Sequence, residues 1–245
     1  MPYRKEQFIN DGIYHVILRG IDDNKLFKDT NDYYRGIFSI YEFNTINPVE
    51  ILKRRRDRSR MKAYLKKTES LGGDPTSAQT DLRDKLVEII AFCLMPNHIH
   101  LLIRQIKDGG IVKFMKKFGG GYARYFNLKH GRKGYVFQNR FLSVLIKTDE
   151  QLKIVFAYIH ANSVSLIEPK WKERGIRDIK KAIKFAKEYK WSSFSDYLGK
   201  PNFPSVTDRE FMLETTGGER ACEKFIEDYI KYKGKFKEYY ELFLE

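Results

Sequence analysis

The sequence predicts an α+β fold: a ferredoxin-like, split βαβ arrangement with an antiparallel sheet, one added helix and a helical C-terminal extension. Two observations predict it. Gly12–Arg19, Leu86–Leu94, His98–Arg104 and Phe141–Lys147 alternate or run apolar over strand lengths. Asp29–Phe43 and Ile111–Leu128 carry apolar residues at helical spacing. With one insertion set aside, the order is strand, helix, strand, strand, helix, strand, which is the split βαβ order. A further helix follows from Thr148.

In the first strand, His15 reads as a packed or hydrogen-bonded strand histidine rather than a ligand, and Arg19-Gly20 ends the run. The first helix shows Tyr33, Ile37, Ile40 and Tyr41 on one face. Residues 44–84 then interrupt the pattern. This insert holds a basic run that includes Arg54, Arg55 and Arg56, followed by the loop-forming Gly72-Gly73-Asp74-Pro75. Such a run is either a solvated face or a nucleic-acid contact.

The second and third strands form a hairpin across Met95-Pro96-Asn97, since Pro and Asn suit a tight turn. Side chains alternate along a strand, so His98 and His100 point one way and Ile99 the other. Two imidazoles so spaced can share a cation, although the same pattern occurs in strands without metal. In the helix Ile111–Leu128, Lys113, Lys116, Lys117 and Arg124 lie among Phe114, Phe118, Tyr122 and Tyr125. Basic residues mixed with aromatics suit a nucleic-acid backbone and its bases, while most of the aromatics pack inward. Gly119-Gly120-Gly121 marks either a break in that helix or a close approach by another backbone. A basic, glycine-containing loop follows, with Arg132 and Lys133, and Arg140 lies just before the fourth strand.

Thr148 and Gln151 form the pattern of an N-cap with a residue three positions on. In the helix they start, Tyr158 and Asn162 are four apart and share a face, whereas His160 faces elsewhere. A strand with two imidazoles and a helix with a phenol and a carboxamide suggest a metal-assisted tyrosine nucleophile. Beyond residue 165 the chain is charged and helical, over Ile176–Tyr189, Asp208–Leu213, Glu219–Tyr232 and Phe236–Leu244. The division expected is a catalytic unit, 1–165, and an extension, 166–245.

The formal charge of +14, from 46 basic against 32 acidic residues, favours a polyanionic partner, nucleic acid before membrane. Cys93 and Cys222 give neither a disulfide framework nor a CxxC metal site. The start, Met1-Pro2-Tyr3-Arg4-Lys5-Glu6, lacks the apolar core of a signal peptide, and no apolar run is long enough for a bilayer. A cytoplasmic location is therefore expected.

The run Leu94-Met95-Pro96-Asn97-His98-Ile99-His100-Leu101-Leu102-Ile103, a basic helix ending Tyr122-Ala123-Arg124-Tyr125-Phe126-Asn127, then Gly134–Phe141, Tyr158–Val164 and Trp191–Phe194, occur in that order. Together they resemble the single-tyrosine HUH transposases, in particular the REP-associated tyrosine transposases. The similarity runs from Tyr14-His15-Val16 to about Tyr197. The chain departs from that family in the insert and at Ser163, where proline is usual.

The resemblance implies the same fold and a transposase that cuts single-stranded DNA at hairpin-associated sites. It implies Tyr158 as the nucleophile of a covalent 5′-phosphotyrosine link, with His98, His100 and Asn162 holding Mg²⁺ or Mn²⁺. Arg19, Lys113, Lys116, Lys117, Arg124, Arg132, Lys133 and Arg140 are the candidate DNA contacts, with Arg54, Arg55 and Arg56 of the insert. Relatives include monomers and homodimers. Two alternatives stay open: a hairpin-binding protein without cleavage, and a replication or conjugation nickase of the same chemistry.

Overall fold

The computed structural model describes residues 7–50, 56, 59, 83–138, 140–232, 239 and 241–243. Arg54 and Arg55 of the basic insert lie outside these residues; Arg56 is helical and exposed.

Four strands form one antiparallel sheet: β1 (Ile13–Arg19), β2 (Val87–Met95), β3 (His98–Gln105) and β4 (Leu142–Ile146), in the order β2-β3-β1-β4. Helices α1 (Thr30–Glu42) and α2 (Gly110–Lys129) intervene, and α3 (Asp149–Ala161) follows β4. This is the expected split βαβ order. Among the described residues, no helix is long and apolar enough to cross a membrane.

Alternation along β3 divides the core in two. Ile99, Leu101 and Ile103 pack with Ile37 and Ile40 of α1 and with Phe114, Phe118 and Tyr122 of α2. Leu102 faces the opposite side, with Val155, Tyr158 and Ile159 of α3. That second core also takes in α4 (Ile179–Glu188), α5 (Glu210–Thr216) and α6 (Glu219–Tyr232), through Ala182, Met212, Ile226 and Tyr229. The C-terminal helices thus close the sheet face on which α3 lies.

Local chemistry sets the ends of the elements. The Asp29 carboxylate accepts from the backbone N–H of Asn31 and Asp32 and caps α1. Thr148 Oγ1 caps α3 by accepting from Gln151 N. The Gln151 side chain accepts from Lys147 N, one residue earlier than a capping box requires. Helix α3 runs to Ala161 and continues as a 3₁₀ turn, Asn162–Leu166.

Two expectations are corrected. The three glycines do not break α2, which is continuous; a Cβ on Gly121 would overlap the Phe43 ring, so there the close approach is by a side chain. The helix expected over Ile176–Tyr189 begins only at Ile179, because Asp178 caps it by accepting from Lys181 N. Of Phe236–Leu244, residues 239 and 241–243 are described.

The chain leaves α1 and enters β2 at one place. The Asn44 side chain accepts from Leu86 N and Val87 N and donates to Val87 O, and Ile46 N donates to Asp84 O at 2.9 Å.

Candidate active site

The strand pairing β1–β3 sets Arg19 opposite His98 and Ile17 opposite His100. His15, Arg19, His98 and His100 consequently lie on the sheet face covered by α3. The turn between β2 and β3 is held from outside: Pro96 O accepts from Leu26 N and Phe27 N, and Asn97 O accepts from Gly20 N. These bonds fix where β3, and so His98, begins.

The His98 and His100 ring centroids are 4.7 Å apart, and His100 meets the Tyr158 ring edge-on at 5.4 Å. His98 Nδ1 lies 2.8 Å from Asn97 Oδ1, an acceptor, so that nitrogen carries a proton. On α3, the four-residue spacing places Asn162 Nδ2 3.4 Å from Tyr158 Oη. The same Nδ2 hydrogen bonds to His100 Nε2. Strand and helix thus meet through His100, Asn162 and Tyr158.

His15 enters this cluster as well, 3.0 Å from His100 Nδ1 through Nε2 and 2.6 Å from Leu242 O through Nδ1. It is hydrogen bonded, as the sequence suggested, but its neighbour is a site residue. His160 points away and bonds Ser193 Oγ at 2.9 Å; burial pushes its pKa down to about 3. It is a neutral core histidine.

Tyr158 has no exposed surface. Phe243 stacks on its ring at 4.1 Å with the planes 5° apart, and Tyr158 Oη donates to Phe243 O at 3.4 Å. Burial raises the phenol's pKa well above its ordinary value, Tyr229 adds to the rise, and the positive charge of Arg19 opposes it. Sequence reasoning missed Leu242 and Phe243, because nothing local in the last residues marks what they cover.

The candidate DNA contacts separate into groups. Lys113, Lys116 and Arg124 are exposed on α2, across the sheet from Tyr158. The Lys117 ammonium instead hydrogen bonds the carbonyls of Thr45, Ile46 and Asn47, and burial lowers its pKa. Gly20 pairs with Phe137, and Gln138 N donates to Arg19 O, so the loop with Arg132 and Lys133 reaches the end of β1 that carries Arg19. Lys133 and Arg140 are exposed.

Among the described residues, no group of three or more His, Cys, Asp or Glu side chains could hold a metal. The donors here are of another kind: two imidazoles and one carboxamide. That set fits a divalent cation that keeps open positions.

Residues 77–162 match the family described as Transposase IS200 like. The matched segment, roughly a third of the chain, contains β2, β3, α2, β4 and α3 and ends on Asn162. It agrees with the resemblance read from the motifs. A solved structure, that of a REP-associated tyrosine transposase bound to a REP hairpin, is similar over 86% of this chain and 96% of that chain, at 15% identity and a TM-score of 0.44. No curated protein sequence matches the chain.

Proposed function

We propose that this chain is a metal-dependent, single-stranded DNA strand transferase of the transposase type, with Tyr158 as nucleophile. The observation that carries this reading is the meeting of Tyr158, Asn162 and His100 across the β3–α3 contact, with His98 beside them. The match of residues 77–162 to IS200-like transposases covers all four.

His98 and His100 would hold the cation through Nε2, and Asn162 through its amide oxygen once the side chain turns over. Bound there, Mg²⁺ or Mn²⁺ would polarise the scissile phosphate and offset charge in the transition state. Tyr158 Oη attacks phosphorus, the P–O3′ bond breaks, and the 3′-oxygen leaves as a hydroxyl after taking a proton. The DNA 5′-phosphate stays on Tyr158, so the bond energy is kept and a 3′-hydroxyl can reverse the step. A phenol is a weak nucleophile at neutral pH, and the Arg19 charge favours its ionised form. Lys113, Lys116, Arg124, Arg132, Lys133 and Arg140 position a hairpin-bearing strand by its phosphates.

With Phe243 in place no phosphate reaches Tyr158, so cleavage requires residues 241–243 to move aside. The same cover favours the second reading, a hairpin binder without cleavage. One experiment separates the two. The full chain and its Phe243→Ala variant are each incubated with 3′-labelled hairpin DNA and Mn²⁺, then run on a denaturing gel. Strand transfer predicts a labelled protein–DNA band that is lost with Tyr158→Phe. DNA binding with no such band from either protein would establish the binder.

A further inference from the structure

We propose that the cleft between residues 23–28 and Arg132 binds one phosphate of the DNA strand, in the single-stranded stretch close to the phosphate that is cut. The inference rests on the DNA-processing reading above and adds Asn24, Lys25 and Lys28 to the residues that hold the strand.

The cleft, of about 610 Å³, is lined by Asp23, Asn24, Lys25, Lys28 and Arg132. Three cations outnumber one acid among the described lining residues. Asp29 and Asp32, the next acids in the chain, are taken by Lys129, at 2.6 Å and 2.7 Å. The Lys28 ammonium and the Arg132 guanidinium lie 5.4 Å and 5.6 Å from the centroid of one ring, that of Phe126. Like charges are gathered there, and among the described residues Lys25, Lys28 and Arg132 make no ion pair. A cleft with an excess of one charge and an apolar wall focuses its field and concentrates the opposite ion. Arg offers paired N–H donors to a phosphate, and Lys offers a point charge.

The position of the cleft ties this anion to the reaction. Gly20 N donates to Asn97 O, and Leu26 N and Phe27 N donate to Pro96 O, so residues 23–25 are fastened on both sides to the turn that precedes His98. Asn24 is five residues beyond Arg19, at most about 18 Å from it along the chain. Ile21 N donates to Val136 O at 3.0 Å, which ties the loop that carries Arg132 to the same segment. The cleft thus joins the end of α2, where Phe126 lies, to the start of β3. Tyr135, on the Arg132 loop, is 83% exposed and offers an aromatic surface of the kind on which unpaired bases stack. That neighbour favours a nucleic-acid strand over a free phosphate.

The test uses the full chain without metal, so that binding is read apart from cleavage. Fluorescence anisotropy is followed over a salt series with hairpin DNA that carries a single-stranded flank. Lys25→Gln/Lys28→Gln should flatten the slope of log affinity against log salt by about 0.7, the value for one phosphate on a single strand. Lys180→Gln/Lys184→Gln, which removes the same charge from exposed positions of α4, should leave the slope unchanged. No change in the first variant, or an equal change in both, overturns the proposal. A second measurement locates the phosphate. Replacing the flank's linkages one at a time by neutral methylphosphonate should weaken wild-type binding, and at one linkage the weakening should vanish in the Lys25→Gln/Lys28→Gln variant. If no flank linkage behaves in this way, the strand does not occupy the cleft. Inorganic phosphate that displaces DNA better than sulfate does at equal ionic strength would assign the cleft to a free anion and overturn the DNA assignment. A chain that binds DNA at this cleft yet never forms an adduct would sink strand transfer and leave the cleft standing. A chain with no affinity for hairpin DNA would sink both.

Discussion

Gly120 and Gly121 are neighbours on α2 with opposite requirements. Nothing lies within 4 Å of a Cβ built on Gly120, whereas one on Gly121 would overlap the Phe43 ring. Gly120→Ala should stabilise the fold by up to about 1 kcal/mol, the helix cost of glycine against alanine. Gly121→Ala should destabilise it by about 1–3 kcal/mol, the usual cost of overpacking. Urea denaturation of both variants checks the pair, and equal shifts would contradict the packing. The glycine run was legible in the sequence, but which glycine mattered was not, because Phe43 arrives from a distant part of the chain. His15 is a similar case. Strand parity put it on the face of Arg19, but its place beside His100 depends on the β1–β3 register, which no local pattern encodes.

At the scale of elements, α2 turns one face inward and carries Lys113, Lys116 and Arg124 on the other. Replacing these three by glutamine should flatten the slope of log affinity against log salt by up to about 2 units, at about 0.7 per phosphate contact on single strands. Cleavage at saturating DNA should not change, because α2 lies across the sheet from Tyr158. Fluorescence anisotropy over a salt series gives the slopes, and identical slopes would contradict this DNA contact. The basic stripe was readable from helical spacing; the loss of Lys117 to the carbonyls of residues 45–47 was not, since those carbonyls belong to another segment.

The ends of α1 and α2 are tied by the buried Asp32, which accepts from Lys129 Nζ at 2.7 Å, from Tyr125 Oη at 3.1 Å and from Lys28 N at 2.9 Å. Burial acts to raise the Asp32 pKa, but Lys129, the Lys28 amide and His130 outweigh it and hold it below the ordinary value. A depressed carboxylate pKa gives stability that is present above the unfolded-state value and is lost as pH falls through the folded-state value. Asp32→Asn should therefore cost about 1.5–3 kcal/mol at neutral pH, the usual worth of hydrogen bonds to a charged group. The gap to wild type should close once the pH drops below the carboxylate range near 4. Thermal melts from neutral to acid pH measure it, and a gap constant with pH would contradict the ion-pair account.

Over the whole molecule, the order of elements and α3 were legible because their signals are local: alternation, helical spacing, one cap and one turn. The pairing of Tyr158 with Asn162 was legible for the same reason. The end of the chain was not, because Leu242 and Phe243 gain their meaning only from the surface they cover. An aromatic pair such as Tyr158 and Phe243 is worth about 1 kcal/mol beyond its buried area. If displacing that cover precedes cleavage, Phe243→Ala should raise the initial rate of adduct formation about fivefold. A quenched time course with hairpin DNA and Mn²⁺ reads this directly, and an unchanged rate would contradict the cover.

The central claim, that Tyr158 Oη takes the phosphate, is tested most directly by mapping the adduct. After nuclease trimming and trypsin digestion, mass spectrometry should find the added mass of a nucleotide 5′-phosphate on the peptide of residues 154–170, which lies between Lys153 and Lys170. Fragmentation should assign that mass to Tyr158. An adduct on any other residue would contradict the account.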